Sequence, residues 1–130
     1  MTEELAALIK RYRRTPEFMF SDLNGVSSTG MTGDTLLHLA VISASREDVD
    51  LLIRSGAKVN ARGDLGNTPL HHAASRGLFD IANKLIASGA NMQLTNEFGQ
   101  TPADLATLMR HNELAQRLRV KESRLLRWFT

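Results

Sequence analysis

The sequence contains no cysteine, which excludes disulfides and cysteine-ligated metal sites but does not identify the redox compartment. Long apolar runs are also missing, since none approaches the roughly 18 residues that a membrane-spanning helix requires. Glu3 and Glu4 precede the apolar residues 5–9 and Lys10 follows them, the reverse of the charge order in a secretory signal. We therefore expect a cytoplasmic protein that does not cross a membrane.

The sequence also lacks the local motifs of catalysis and cofactor binding. No phosphate-binding glycine loop, zinc-protease helix, serine-hydrolase elbow or calcium loop occurs in it. Gly25, Gly30 and Gly33 do not have the spacing of a dinucleotide site, and no serine is accompanied by a sequence cue for a base. We predict that the chain is not an enzyme and binds no cofactor, metal or small-molecule substrate.

Net charge is low, at +2, so any attraction for nucleic acid depends on where the charges lie. The basic residues concentrate at the two ends. Lys10, Arg11, Arg13 and Arg14 surround Tyr12, and the C-terminal residues 117–128 carry arginines close to Trp128. Basic terminal helices of this kind could hold phosphates, and a nucleic-acid-associated adaptor is the alternative function. Charge runs on helices are more often solvated faces, so nucleic acid is the less favoured partner.

A period of 33 residues organises the chain. It relates Gly33, Gly66 and Gly99, and the first two copies also share Ser55-Gly56-Ala57 and Ser88-Gly89-Ala90. A repeated unit of this length is typical of a stacked solenoid. Thr35, Thr68 and Thr101 also recur in all three copies, as do Ala40, Ala73 and Ala106.

The residue types at these positions predict a pair of helices in each unit. Thr68 before Pro69 combines a helix-capping hydroxyl with a proline suited to the first helical position. The recurring alanines allow close packing of this first helix. A second helix, rich in leucine and isoleucine, ends at Gly56 or Gly89. The stretches 58–67 and 91–100 are expected to be hairpin-like loops.

These units resemble the ankyrin repeat. The family pattern is carried by residues 66–74, Gly-Asn-Thr-Pro-Leu-His-His-Ala-Ala, and by the later Gly89-Ala90-Asn91. The first copy departs from it at Leu36, Val41 and Ala44, and Asp104 replaces histidine in the third copy, as in a terminal repeat. The resemblance covers residues 31 to about 120 and implies an all-α solenoid of stacked antiparallel helix pairs with N- and C-terminal capping helices.

We expect one domain, complete in this chain and monomeric when free. Its predicted parts are an N-terminal cap and loop (1–32), repeats at 33–65 and 66–98, a terminal repeat (99–120) and a C-terminal helix extension (121–130). Thr2, in register with Thr35, is expected to open a helix through Arg14. The C-terminal cap should bury one apolar side, formed by Leu114, Leu118, Leu125 and Trp128.

The adjacent His71 and His72 suggest a metal site at first sight, but neighbouring helical residues point about 100° apart and cannot easily close on one ion. His38 and His71 stand at the histidine position of the family pattern. The resemblance implies that their imidazoles hydrogen-bond the adjoining loops.

The resemblance also implies recognition of another protein through loop tips and the exposed side of the first helices, a concave surface in such stacks. Met31, Leu65 and Phe98 place apolar side chains at three loop tips, where polar residues are usual. Alternatively, Leu65 and Phe98 only pack against one another. The predicted contact residues are Met31, Asp34, Arg62, Asp64, Leu65, Asn67, Arg76, Thr95, Glu97, Phe98, Gln100 and Met109. Inhibition of the partner is one possible role, as in small ankyrin-repeat immunity proteins that neutralise a toxin.

Overall fold

The computed structural model describes residues 2–19, 23 and 25–119. Within these residues, the helices are α1 (Glu3–Tyr12), α2 (Leu36–Ile42), α3 (Arg46–Arg54), α4 (Pro69–Arg76), α5 (Phe79–Ala87), α6 (Pro102–Leu108) and α7 (112–119). A single 3₁₀ turn covers Asp64–Gly66. The β pairing described in this part of the chain is one isolated bridge between Thr29 and Thr35. The predicted all-α architecture is confirmed.

Threonine hydroxyls start the first helix of each repeat, as predicted. Thr35, Thr68 and Thr101 each accept the backbone N–H three residues later, and the side chain at that position accepts the N–H of the threonine. Each helix start therefore satisfies two backbone donors that would otherwise lack partners.

The first helices α2, α4 and α6 pack in one row, and each repeat adds a second helix behind it. Ala40, Ala73 and Ala106 are completely buried between these elements, as their small size suggested. Gly56 and Gly89 follow the second helices α3 and α5 in the left-handed conformation, which confirms the predicted helix ends.

A left-handed residue also joins the two helices of each pair. Ala44, Gly77 and Arg110 occupy this position, 33 residues apart, with φ angles of 57°, 69° and 64°. Ala44 stands where the family pattern has glycine, and the backbone keeps the conformation that glycine would favour.

Helix α1 caps the stack at its N-terminal end. The Thr2 hydroxyl accepts the N–H of Leu5, and the helix ends at Tyr12, before the predicted Arg14. It packs against α3, and its direction is opposite, because Arg11 lies near Asp48 at one end and Glu4 near Arg54 at the other. The register of Thr2 with Thr35 therefore indicates a helix start but does not place α1 in the row of α2, α4 and α6.

At the other end, α7 buries Leu114, Ala115 and Leu118. The predicted contributions of Leu125 and Trp128, and the extension 121–130, lie outside the described residues. No helix in the described part of the chain has the length and apolar character needed to span a bilayer.

The second helices α3 and α5 are joined by ion pairs on their outer side. Arg46 lies 3.0 Å from Asp80, and Asp50 lies 2.6 Å from Lys84. The first pair is exposed and the second is half-buried, with both side chains still open to solvent, so each contributes little to the free energy of folding.

Candidate interaction surface

Three loop tips of the same construction line one edge of the stack. They are residues 30–34, 63–67 and 96–100, called the first, second and third tips below. In each, the first residue's N–H donates to the last residue's carbonyl, at 2.8 Å, 2.8 Å and 2.9 Å. Gly33, Gly66 and Gly99 provide a left-handed residue in each turn, and Leu65 is a second one in the second tip. The second and third tips lie in the stretches 58–67 and 91–100, which were expected to be hairpin-like loops, whereas the first tip was not among the predicted ones.

Two buried histidines hold the tips to the helices. Thr35 N–H donates to His38 Nδ1 at 3.1 Å, and His38 Nε2 donates to Asn67 O at 2.8 Å, in the next tip. His71 makes the same bonds to Thr68 N–H and to Gln100 O. Burial lowers the pKa of both imidazoles, so the neutral form with a proton on Nε2 is favoured. The structural role predicted for His38 and His71 is confirmed.

Asp104 explains the departure of the third copy from this pattern. Its Oδ2 accepts the Thr101 N–H at 2.9 Å, which reproduces the bond made by the histidine Nδ1. Its side chain is exposed, and Arg119 lies 3.6 Å from it. A carboxylate is therefore sufficient where the side chain caps its own helix and does not hold a following tip.

Direct hydrogen bonds join the second tip to the third. The Glu97 N–H donates to Leu65 O at 3.0 Å, and Asn96 Nδ2 donates to Asn67 Oδ1 at 3.0 Å. These bonds bring the backbones at Leu65 and Phe98 side by side. Their side chains nevertheless stay 46% and 67% exposed, so mutual packing does not bury either of them.

Six large apolar residues are exposed within the described part of the chain, and three of them lie at the tips. Besides Leu65 and Phe98, Met31 is exposed at the first tip, and Leu108 and Met109 are exposed at the end of α6. Met19 completes the set of exposed large hydrophobics within the described residues. An apolar set of this kind with charged neighbours has the composition of a binding surface.

The structure places the polar members of the predicted set in three environments. Asp64 and Glu97 are exposed in the second and third tips, and Arg62 and Thr95 are exposed directly before these tips. Asn67 and Gln100 are half-buried, and their side-chain oxygens accept hydrogen bonds from Asn96. Arg76 is exposed at the end of α4 and donates to the carbonyl of Ile42.

Asp34 requires a correction, because we expected an exposed contact residue and its side chain is buried. Only 7% of the residue is exposed, and its Oδ1 accepts the Asp64 N–H at 2.9 Å. Asp34 therefore supports the second tip from beneath instead of presenting a carboxylate to a partner.

Glu17, which sequence reasoning missed, supports the first tip. Its carbonyl accepts the Met31 N–H at 3.0 Å, and its Oε1 accepts from the Thr32 N–H and hydroxyl at 2.9 Å and 2.7 Å. Met19 lies two residues further along this segment. Residues 15–19 precede the repeats, and the residues one period later, 48–52, lie within helix α3. The periodicity therefore contained no signal for the contacts of Glu17.

The N-terminal basic cluster is partly occupied by internal contacts. Arg11 lies 2.8 Å from Asp48, and the Tyr12 hydroxyl donates to the same carboxylate at 3.0 Å. Burial would raise the pKa of Asp48, but the hydrogen bonds from Arg11 and Tyr12 outweigh it and lower this pKa. Tyr12 is buried and so cannot stack on a base. The aromatic contact that the nucleic-acid alternative expected at this end of the chain is therefore not possible.

A family model described as ankyrin repeats (3 copies) matches residues 37–124 of the chain. No curated protein matches the sequence.

Proposed function

Since the chain belongs to the ankyrin-repeat family, whose repeats are generally protein-interaction modules, we propose that it binds a protein partner through its tips and the ends of its first helices. The binding surface in this proposal contains Met31, Leu65 and Phe98 at the tips and Met109 on α6. Its polar contacts are Arg62, Asp64, Asn67, Arg76, Thr95, Glu97 and Gln100. Asp34 has a structural role in this proposal, because its carboxylate accepts the Asp64 N–H and holds the second tip.

The exposed apolar row at the tips is the observation that supports this assignment most strongly. Phe98 exposes 67% of its surface and Met31 exposes 68%, although both lie in ordered turns. The opposite side of the stack is different, because the exposed outer faces of α3 and α5 carry ion pairs such as Arg46–Asp80. Apolar anchors within a polar surround are where a few residues dominate binding energy.

The finer part of the proposal concerns what binding achieves. We propose that the chain acts without catalysis, as a monomer in the cytoplasm, by covering a functional surface of its partner. Neutralisation of a toxin by an immunity protein is one form of such inhibition. Co-expression with the product of a neighbouring toxin gene would test it, and unchanged toxicity would contradict it.

Affinity capture with the purified chain tests the proposed surface. The partner is identified with the wild-type chain and its Kd is then measured for Phe98→Ala and Leu65→Ala. We expect Phe98→Ala to weaken binding by at least about 2 kcal/mol, the usual threshold for a dominant contact, without lowering the melting temperature. Arg62→Ala and Glu97→Ala should act more on the association rate and its salt dependence.

Two control variants distinguish the loss of a direct contact with the partner from a loss of folding stability. Phe79→Ala removes the same side chain from the half-buried start of α5 and should leave the Kd unchanged while the protein is folded. Leu52→Ala truncates a fully buried residue and should affect binding only by unfolding the chain. Normal binding by both tip variants, together with loss on changing the basic residues of α7, would place the site elsewhere.

A further inference from the structure

The tips are acidic although the chain as a whole is basic. The sequence has a formal charge of +2 and a pI of about 9.4. In the tips and the residues directly before them, however, the exposed charged side chains are Asp64, Glu97 and one cation, Arg62, while Glu17 lies against the first tip. The local charge therefore has the opposite sign to the net charge of the chain.

The stacking brings Asp64 and Glu97 to neighbouring places. They occupy the same register, 33 residues apart, and the Glu97 N–H is bonded to Leu65, the residue after Asp64. Asp64 directly precedes Leu65 and Glu97 directly precedes Phe98, so each acidic residue is adjacent in the chain to one of the two exposed apolar residues. A charged rim next to apolar anchors selects partners by the sign of their charge.

Neither of these two carboxylates forms an ion pair within the described part of the chain. The aspartates of the helices differ, because each has a basic partner: Asp48 pairs with Arg11, Asp50 with Lys84, Asp80 with Arg46 and Asp104 with Arg119. The negative charge of the tips is therefore available to a ligand.

The two cations of the surface do not cancel this charge. Arg62 is a single cation beside Asp64 and Glu97. Arg76 lies at the far end of α4, where its guanidinium donates to the carbonyl of Ile42 at the end of α2. The edge formed by the second and third tips remains net negative.

We propose that the ligand of this edge is a basic-apolar protein segment, in which lysine or arginine side chains flank one or two large apolar side chains. This inference rests on the proposed function and defines its partner class. The apolar side chains contact Leu65 and Phe98, and the cations face Asp64 and Glu97. Phosphate ligands are repelled by this edge, so nucleic acid is not its ligand.

Selection from a displayed library of random 12-residue peptides tests the proposal with the full chain as bait. We expect the enriched peptides to be richer in lysine and arginine, next to aromatic or aliphatic residues, than the unselected library. The best peptide is then synthesised with a fluorophore, and its Kd is measured by anisotropy at low and high salt. Affinity should fall as salt is raised, because the complementary charges are screened.

A matched pair of charge reversals separates the tip carboxylates from net charge. D64K/E97K should weaken the selected peptide by at least about tenfold, because cations then face cations across the interface. E47K/E113K makes the same change in total charge at exposed positions on α3 and α7 and should change the Kd by less than about twofold. Melting temperatures of both variants verify that they are folded.

The outcomes distinguish this inference from the function on which it rests. Enrichment of acidic or uncharged peptides, no enrichment, or equal effects of the two double variants would overturn the basic-apolar assignment. If acidic or uncharged peptides are selected and Phe98→Ala weakens their binding, the proposed binding surface is retained and only the partner class is wrong. If the selected peptide binds Phe98→Ala and Leu65→Ala normally, the surface itself is wrong.

Discussion

The side chain of Asp34 occupies the space beside Gly63, between the first and second tips, that a larger residue at position 63 would need. A Cβ atom on Gly63 would lie 2.1 Å from Asp34 Oδ1, the oxygen that accepts the Asp64 N–H at 2.9 Å. In the third tip the equivalent residue is Asn96, whose own Oδ1 accepts from the N–H groups of Phe98 and Gln100. The N–H equivalent to that of Asp64 belongs to Glu97 and donates to Leu65 O, so each of these two tips receives the acceptor for this N–H from the preceding tip.

Asp34→Ala should therefore destabilise the second tip by about 1–3 kcal/mol, since a partly buried N–H loses its acceptor. Gly63→Asn should also destabilise the wild-type chain, because its side chain meets the Asp34 carboxylate. The double variant should lose less than the sum, because one carboxylate is involved in both effects. Urea unfolding of the four proteins measures this coupling, and strict additivity would show that the two residues act independently.

Stability should fall in mild acid because of His72. Burial, and then the neighbouring His38, lowers the pKa of His72 from 6.5 to about 4. Between pH 6.5 and pH 4 the unfolded chain binds a proton at His72 that the folded chain does not, so the free energy of unfolding decreases as pH falls. Above pH 6.5 the imidazole is neutral in both states, and no stability is lost through this residue. Urea unfolding should show a loss of about 2 kcal/mol between pH 7 and pH 5 from this residue.

His72→Leu provides the matched variant for this pH dependence. Leu39 and Leu105 occupy the same register in the other repeats, and His72 Nε2 is buried without a hydrogen-bond partner in the described structure. The variant should reduce the loss between pH 7 and pH 5, leaving the contribution of His38 and His71, whose pKa values are also lowered. An unchanged pH dependence would assign the effect to other groups.

Ala44→Gly should stabilise the chain or leave its stability unchanged. The φ angle of 57° is unfavourable for alanine by roughly 1 kcal/mol, and Gly77 occupies the same place in the next repeat. Part of this gain is offset by the larger entropy of glycine in the unfolded chain. Ala7→Gly, at an exposed site within α1, is the control and should cost about 0.5–1 kcal/mol. Equal losses in both variants would contradict the argument.

Leu85→Ala should lower the free energy of unfolding by about 2–5 kcal/mol, because this fully buried residue of α5 leaves a cavity. Leu108→Ala makes the same chemical change at a residue that is 66% exposed. It should remain within about 0.5 kcal/mol of the wild type, as surface changes usually do. Chemical denaturation of both proteins, with the slope m compared, checks this contrast.

Binding to duplex DNA should be weak and non-specific. Arg11 is engaged by Asp48, and the buried Tyr12 cannot stack on bases. If phosphate binding does occur, log affinity should fall against log salt with a slope near −0.9 for each phosphate neutralised. Sub-micromolar, salt-sensitive binding that is abolished by changing Arg11, Arg13 and Arg14 would favour the nucleic-acid alternative.

The sequence predicted the features that recur with the period. Thr68 and Thr101 were identified as helix starts because capping and the following proline are local properties of the chain, and Thr35 because it is in register with them. The roles of His38 and His71 followed from the family pattern, and their bonds to Asn67 O and Gln100 O agree with it.

Features that depend on contacts between unlike segments could not be predicted in this way. Asp34 was expected to be exposed, but the gap at Gly63 admits its carboxylate, and only the stacked structure reveals that gap. The contact of Glu17 with Met31 lies outside the periodic pattern for the same reason. The left-handed conformation of Leu65, with φ of 57°, is unusual for a bulky residue, so no propensity rule indicates it.

The two outer ion pairs have opposite polarity, and this makes the helices that carry them non-interchangeable. Along α3 the cation Arg46 comes before the anion Asp50, whereas along α5 the anion Asp80 comes before the cation Lys84. At the 33-residue offset of the repeats, a second copy of α3 in the place of α5 would put Glu47 where Asp80 stands and Leu51 where Lys84 stands. Arg46 would keep an anionic partner, but Asp50 would lose its cation, which disfavours exchange of equivalent units between chains. Bonds too weak to contribute much stability can thus still favour one order of the repeats.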